Sequence, residues 1–147
     1  MDRESLKLLA DINSAVIQFR GLYAAWSKKH GISYHELLVL YMIRDQGFCT
    51  QKQICDSYLL PRQTMNHVIL DLRKRELLEL SPEHCTGREK AFVLSERGKA
   101  YAAPLLDSLD RIEMQAMEVF GRNNIRTMVE TVLSYDYALQ KAMRENE

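Results

Sequence analysis

The segment from Pro61 to Leu80, PRQTMNHVILDLRKRELLEL, decides the fold of this chain. Proline suits the first position of a helix, where its missing amide needs no partner. Hydrophobic residues then recur at helical spacing and form one inward-facing stripe: Met65, Val68, Ile69 and Leu72. Near Leu77 the pattern becomes strand-like, with alternating apolar and polar residues. The segment therefore predicts a helix from Pro61 to about Leu77 that leads directly into a strand.

The face of this helix opposite the stripe carries hydrogen-bonding side chains rather than an even mixture of Glu and Lys. At helical spacing it presents Gln63, Asn66, His67 and Lys74. Arg62 and Thr64 fall in the first turn. A run of three cations, Arg73-Lys74-Arg75, falls in the last turn, where positive charge suits the helix dipole. Such a face is either simply exposed to solvent or binds another polar surface. The elements on either side of the helix indicate which of these two interpretations applies.

Two capping signals precede this helix. Thr50 with Gln53 matches a capping box and predicts a short helix over Gln51–Tyr58. Ser33 with Glu36 matches the same box and predicts a helix that ends near Gly47. Three helices are therefore predicted within residues 33–77, and a short turn at Leu60-Pro61 joins the last two.

A hairpin follows the helix that begins at Pro61. Residues 77–81 and 91–94 are predicted to be short strands, and a polar loop with a glycine near its tip joins them. The order of helix, turn, helix and hairpin is that of a winged helix-turn-helix, which we place at about residues 33–95.

Long helices flank this lobe. Residues 4–28 carry hydrophobic residues at steps of three and four, close to a 3.5-residue period. The segment 96–145 predicts a helix that is interrupted or kinked near Pro104 and ends at Gly121, and then a last helix over about 124–145. These apolar stripes need partners, so we expect 4–28 and 96–145 to be dimerisation helices of a symmetric dimer. The predicted fold is mainly α with a small β-hairpin wing, in one domain over residues 1–147.

Composition excludes several classes of protein. The longest apolar run has seven residues, Leu37–Ile43, whereas a membrane helix needs about twenty. Three cysteines in 147 residues do not suggest a secreted disulfide framework, and no signal-type segment opens the sequence, so a cytoplasmic protein is expected. The formal net charge is zero. Residues 50–99 nevertheless carry nine positive and seven negative side chains, and residues 100–147 carry five and eight, so the predicted lobe is the more basic region.

The whole chain resembles the MarR family of bacterial transcription regulators. The resemblance rests on the stretch Thr64–Leu78, on Arg88 in the wing, and on Leu94-Ser95-Glu96-Arg97-Gly98, which is similar to the family's Leu-Thr-x-x-Gly segment at the start of its fifth helix. It implies a dimer with interlocked outer helices and a two-fold related operator. It also implies a small effector, often aromatic, that binds between the dimer helices and the DNA-binding lobe.

The chain departs from the family pattern at three positions. Thr86 stands where the family often has the Asp of a wing Asp-x-Arg. Asp71 occupies a position in the recognition helix that is commonly basic. Glu76 replaces the Gly often found before the first wing strand.

Amide, imidazole and guanidinium groups can read base edges in the major groove. Gln51 and Lys52 at the start of the short helix would lie near the DNA backbone, helped by free amides at that helix terminus. Arg88 and Lys90 in the wing would reach the minor groove or its phosphates. The predicted DNA-binding residues are Gln51, Lys52, Arg62, Gln63, Thr64, Asn66, His67, Lys74, Arg88 and Lys90.

Other readings are weaker. The spacing of Cys49 and Cys55 is not a common zinc spacing, and no metal site is predicted. Cys55 is expected to be a buried, inert thiol, whereas Cys85 in the loop leaves oxidation open. Aromatic and Met side chains could line an effector pocket or simply belong to the core, so the residues that bind an effector stay unassigned.

The sequence thus predicts a homodimeric, sequence-specific regulator that binds an inverted-repeat operator in double-stranded DNA and acts as a repressor released by a small aromatic effector. No catalytic residue or cofactor is predicted, because no phosphate loop, nucleophile elbow or metal-ligand motif occurs. No membrane contact is predicted, because no apolar run is long enough to span a bilayer. Two alternatives remain: a winged-helix module that binds another protein, and a thiol-sensing regulator that acts through Cys85.

Overall fold

Nearly every predicted element is present in the computed structural model, which describes residues 1–146; the last residue of the predicted 1–147 domain lies outside this range. Most of the chain is helical, and a small antiparallel sheet has the strand order β1-β3-β2. This confirms the predicted fold class. The elements are α1 Arg3–Lys29, α2 Tyr34–Gln46, β1 Cys49–Thr50, α3 Gln51–Tyr58, α4 Arg62–Lys74, β2 Leu78–Leu80, β3 Ala91–Leu94, α5 Glu96–Phe120 and α6 Arg122–Glu145.

The structure corrects several boundaries. Pro61 precedes α4 as its N-cap residue, and α4 ends at Lys74 rather than near Leu77. Helix α5 continues through Pro104, so of the interruption or kink predicted there, the interruption is wrong. Strand β1 was not predicted, because two residues are too few to show an alternating pattern.

The end of α4 explains why a glycine suits the position of Glu76. Its backbone is left-handed, with φ of 60°. The Glu76 amide donates to the carbonyl of Arg73, and the Leu77 amide donates to the carbonyl of Leu72. These two bonds form a Schellman motif, whose left-handed residue is usually Gly. Glu76 carries the steric cost of a Cβ there, and its carboxylate lies 3.3 Å from the Arg97 guanidinium.

The chain forms two compact units, Met1–Leu106 and Asp107–Glu147. In the first unit, the main core is enclosed by α2, α3, α4 and the sheet. Strand β3 is the central strand and pairs with both β1 and β2. Its fully buried side chains include Val39, Ile54, Met65 and Leu72. The inward stripe predicted for α4 is therefore confirmed.

Helices α1 and α6 bury little of their apolar surface. In α1 only Ser27 is buried, and Val16 and Phe19 of the predicted stripe are 46% and 55% exposed. In the second unit, α6 has no buried residue. Its exposed apolar side chains include Met128, Val129, Val132, Leu139 and Met143. Within residues 1–146, no helix is both long and apolar enough to cross a membrane.

Candidate nucleic-acid interface

Local contacts fix both ends of α3 and the start of α4. The Thr50 hydroxyl accepts from the Gln53 amide at 3.0 Å, and the Gln53 side chain accepts from the Thr50 amide at 2.9 Å, so the predicted capping box is complete. Leu59 then takes a left-handed conformation, and its amide donates to the carbonyl of Cys55. Pro61 follows and starts α4. These contacts define the two ends of α3 and the residue at which α4 begins.

Helix α4 presents its predicted polar face to solvent. Gln63, Asn66, His67 and Lys74 are exposed, whereas Thr64 is half-buried. Leu70 lies on the same face and is 53% exposed. Sequence reasoning missed Leu70, because a leucine inside an amphipathic helix is ordinarily assigned to the core. The exposed face is thus polar with one apolar side chain near its centre.

The wing brings cations close to α4. The amide of Thr86 donates to the carbonyl of Glu89 at 2.9 Å, and the reverse bond is 3.3 Å, so Gly87 and Arg88 form the tip of a tight turn. A cleft of about 250 Å³ lies between α4 and the wing. The cleft is lined by Gln51, Arg62, Asn66, Ile69, Leu70, Arg73, Arg88, Glu89, Lys90 and Phe92. Five of the ten predicted DNA-binding residues therefore meet around one groove.

Arg73 is a second residue that the predicted set left out. It lines the cleft, and its guanidinium lies 5.5 Å from the centre of the Phe92 ring. The sequence places Arg73 in the cation run at the end of α4, but its position in the cleft depends on where the wing lies.

The start of α3 differs from expectation. The side-chain amide of Gln51 donates to the carbonyl of Arg62 at 2.9 Å, and the ammonium of Lys52 pairs with Asp56 at 2.6 Å. The amide of Lys52, expected to be free for a phosphate, donates instead to the Glu89 carboxylate at 2.9 Å. Glu89 also lies 3.4 Å from the guanidinium of Arg62. Three predicted contact residues are thus partnered within the protein.

A charged network holds the far end of α4. The Arg75 guanidinium donates to Glu36 of α2 at 3.2 Å and to Asp71 at 2.9 Å, and the Tyr101 hydroxyl of α5 donates to Glu36 at 2.6 Å. Burial, followed by the bond to Glu36, raises the pKa of Tyr101 and keeps the phenol protonated as a donor. The capping box predicted for Ser33 and Glu36 is therefore only half formed: Ser33 accepts from the Glu36 amide, while the Glu36 carboxylate turns to Arg75 and Tyr101. This network ties the C-terminal end of α4 to α2 and α5.

The cysteines lie in different surroundings. Cys49 is fully buried, and desolvation raises the pKa of its thiol to about 12, so it stays protonated and a poor nucleophile at neutral pH. Cys55 is half-buried rather than buried, and desolvation raises its pKa. Cys85 is half-buried too, and its sulfur accepts from the amide of Ala91 at 3.3 Å. Thiol sensing through Cys85 stays a prediction. Among residues 1–146, no group of three or more His, Cys, Asp or Glu side chains is arranged to hold a metal ion.

Comparisons with known proteins identify the fold. A MarR family regulator from Neisseria meningitidis is 26% identical, with a TM-score of 0.85 over 95% of this chain and 99% of that chain. A putative MarR family regulator from Listeria monocytogenes in complex with a 26mer DNA is 16% identical, with a TM-score of 0.67 over 91% and 89% of the two chains. MarR from Staphylococcus aureus in complex with salicylate and kanamycin is 14% identical, with a TM-score of 0.68 over 95% of each chain. No family model and no curated protein matches the sequence. The resemblance drawn from residues 64–98 is thus confirmed by structure.

Proposed function

The chain has the fold of MarR family transcriptional regulators, and from that premise we propose that it is a dimeric regulator that binds double-stranded DNA. The observation that carries this proposal is the exposed polar face of α4 beside a cation-bearing wing. A face of this kind on an isolated helix would simply meet water. Here the capped α3, the turn at Leu59 and the wing tip at Arg88 surround it, and a helix with a wing beside it suits a major groove and its neighbouring backbone. We propose no catalytic residue, metal or organic cofactor.

Recognition would divide between the two parts of this surface. Asn66 and Gln63 can each bond adenine bidentately, and His67 can bond base edges. Arg88 and Lys90 would meet phosphates or the minor groove, contacts that position the protein without reading sequence. Thr64 and Lys74 would contact the backbone near the two ends of α4. These assignments follow from residue type and exposure on one lobe.

The dimer is proposed from the exposed apolar residues of α1 and α6. Exposed apolar side chains that line one face of a helix are typical of a subunit interface. Two-fold symmetry would pair equal surfaces, so each dimer would present two copies of α4 to two half-sites. An inverted-repeat operator with half-sites about one helical turn apart follows from that arrangement.

A change on α6 tests the dimer. Wild-type protein should sediment at twice the 17.1 kDa chain mass, and Val132→Glu should dissociate it at micromolar concentration because a charge would be buried against an apolar partner. Thr131→Glu puts the same charge on the next exposed position, off the apolar stripe, and should leave the dimer intact. A wild-type protein that sediments as a monomer would contradict the proposal.

We propose repression relieved by a small aromatic acid as the mode of regulation. Support comes from MarR of S. aureus, which shares the fold of this chain and was solved in complex with salicylate. Titration of operator-bound protein with salicylate is the direct test. Release of DNA at millimolar ligand supports the proposal, and unchanged binding opposes it for this class of ligand.

Two substitutions that should weaken DNA binding in different ways test the proposed DNA surface. Asn66→Ala should weaken operator binding by about 1–3 kcal/mol and relax base preference at one position per half-site. Arg88→Ala should weaken binding to all duplexes and reduce the slope of log K against log salt by about 0.9. Fluorescence anisotropy between 50 and 200 mM salt, with duplexes selected from a random pool, measures both.

Asn123→Ala on α6 is the control for Asn66, since it removes the same side chain from an exposed position outside the lobe. If Asn66→Ala and Arg88→Ala both bind like wild type, the proposed surface is wrong. If the wild type binds no duplex, or binds with no dependence on salt, the surface serves a protein partner instead.

A further inference from the structure

The wing places a carboxylate in front of α3. Glu89 follows the wing tip, and its side chain is 19% exposed, whereas that of Arg62 is 71% exposed. One oxygen of Glu89 accepts from the backbone amide of Lys52 at 2.9 Å. The other lies 3.4 Å from Nη2 of Arg62 at the start of α4. One side chain therefore engages the first turns of both helices of the helix-turn-helix.

The two donors that Glu89 satisfies are of the kind that hold a DNA phosphate. A backbone amide in the first turn of a helix and an arginine guanidinium both bind phosphate oxygens, and both favour negative charge. A carboxylate offers the same two acceptor oxygens with one negative charge. While Glu89 stays there, it screens Arg62 and repels an approaching phosphate.

We propose that Glu89 is a specificity-determining residue, because its carboxylate competes with a DNA phosphate for the Lys52 amide and for Arg62. This inference rests on the proposed DNA-binding function. Binding to an arbitrary duplex depends almost wholly on phosphate contacts, so it suffers most from the occupied donors. A cognate duplex adds base contacts from α4, and these offset the displacement of Glu89. The wing glutamate thus widens the gap between specific and non-specific binding.

Several features of the contact agree with displacement. The bond between Arg62 and Glu89 is long, and Arg62 remains mostly exposed, so this ion pair holds Arg62 weakly. The turn that carries Glu89 has an exposed tip at Gly87 and Arg88, where a small backbone movement would carry the carboxylate away from α3. Arg88 precedes Glu89 directly, so binding of Arg88 to the DNA backbone would move Glu89 with it.

Glu89→Gln is the decisive variant, because glutamine keeps an oxygen that can accept from the Lys52 amide and loses only the charge. Affinity for a random-sequence duplex should rise about tenfold, and its salt slope should steepen by about 0.9 as Arg62 gains a phosphate. Affinity for the selected operator should rise less, about threefold, so the specificity ratio should fall. Fluorescence anisotropy over 50–200 mM salt measures all three quantities.

Glu83→Gln is the matched control. Glu83 lies in the same loop, and its side chain is 80% exposed. Its carboxylate lies 3.5 Å from Nδ1 of His84. The same loss of charge there should change neither the slope nor the ratio. Combining Glu89→Gln with Arg62→Gln should remove most of the gain, since the freed guanidinium is then absent.

The outcomes separate the two proposals. A gain and a steeper slope for Glu89→Gln alone support the inference. Equal effects of Glu89→Gln and Glu83→Gln, or weaker DNA binding by Glu89→Gln at unchanged thermal stability, overturn it and leave the regulator function standing. If neither wild type nor Glu89→Gln binds any duplex, the proposed function itself fails, and the inference fails with it.

Discussion

Replacing Gly98 with alanine should cost about 3 kcal/mol or more of folding free energy, measured by urea denaturation. Gly98 is buried in the first turn of α5. A Cβ added there would overlap the carbonyl oxygen of Leu77 and lie 2.9 Å from the carbonyl carbon of the same residue. Both are backbone atoms next to β2, so relief requires α5 and the sheet to separate.

The same carbonyl explains why the clash cannot be relieved cheaply. The amide of Ser95 donates to the oxygen of Leu77 at 3.1 Å, and the Ser95 hydroxyl donates to the carbonyl of Glu76 at 2.6 Å. That hydroxyl also accepts from the Gly98 amide at 2.9 Å and caps the helix. The Leu-Ser-Glu-Arg-Gly segment is therefore a joint between α5 and the end of α4.

Gly21→Ala is the control for this prediction. Gly21 lies within α1, and a Cβ there would meet no atom within 4 Å. Alanine should be neutral or stabilise the helix by up to about 1 kcal/mol. Equal stability of the Gly98 and Gly21 variants would show that the contact between Gly98 and Leu77 is not as close as described.

Arg75→Met should destabilise the fold by about 3 kcal/mol, because it leaves the Glu36 carboxylate buried without its cation. Only 9% of the Glu36 side chain is exposed. The Arg75 side chain is 37% exposed. The expected loss of folding free energy is therefore at the low end of the range for breaking a buried ion pair. Thermal and urea unfolding, followed by circular dichroism, measure the change.

A second substitution distinguishes lost charge pairing from lost packing. Adding Glu36→Gln to Arg75→Met removes the uncompensated charge and keeps an oxygen that can accept from Tyr101, so most of the stability should return. Lys74→Met, which removes a cation from the adjacent exposed position, should stay within about 0.5 kcal/mol of wild type. A double variant no more stable than Arg75→Met would assign the loss to packing of the arginine against Tyr101, whose ring centre lies 5.1 Å from the guanidinium.

Local rules were sufficient for most of the fold. The capping box at Thr50, the inward stripe of α4 and the end of α2 at left-handed Gly47 all follow from residues within four positions of one another. The apolar stripes of α1 and α6 likewise predict helices that need a partner. Prediction was weakest for β1, a two-residue strand before α3 that exists only because β3 pairs with it.

The candidate site divides in the same way. Residue type and helical spacing placed Gln63, Asn66 and His67 on one exposed face. Leu70 and Arg73 were left out of that surface, since a Leu in a helix suggests core and the place of Arg73 depends on the wing.

The sequence alone therefore determined the order of the elements and the faces of α4, because helix caps and apolar periodicity act over three or four residues. Only the tertiary structure decided which charged groups have partners. Glu36 serves Arg75 and Tyr101, 39 and 65 residues away, instead of capping its own helix. Glu89 reaches the amide of Lys52 across 37 residues. A carboxylate pairs with the donors that packing brings within hydrogen-bonding distance, and no local pattern records which donors those are.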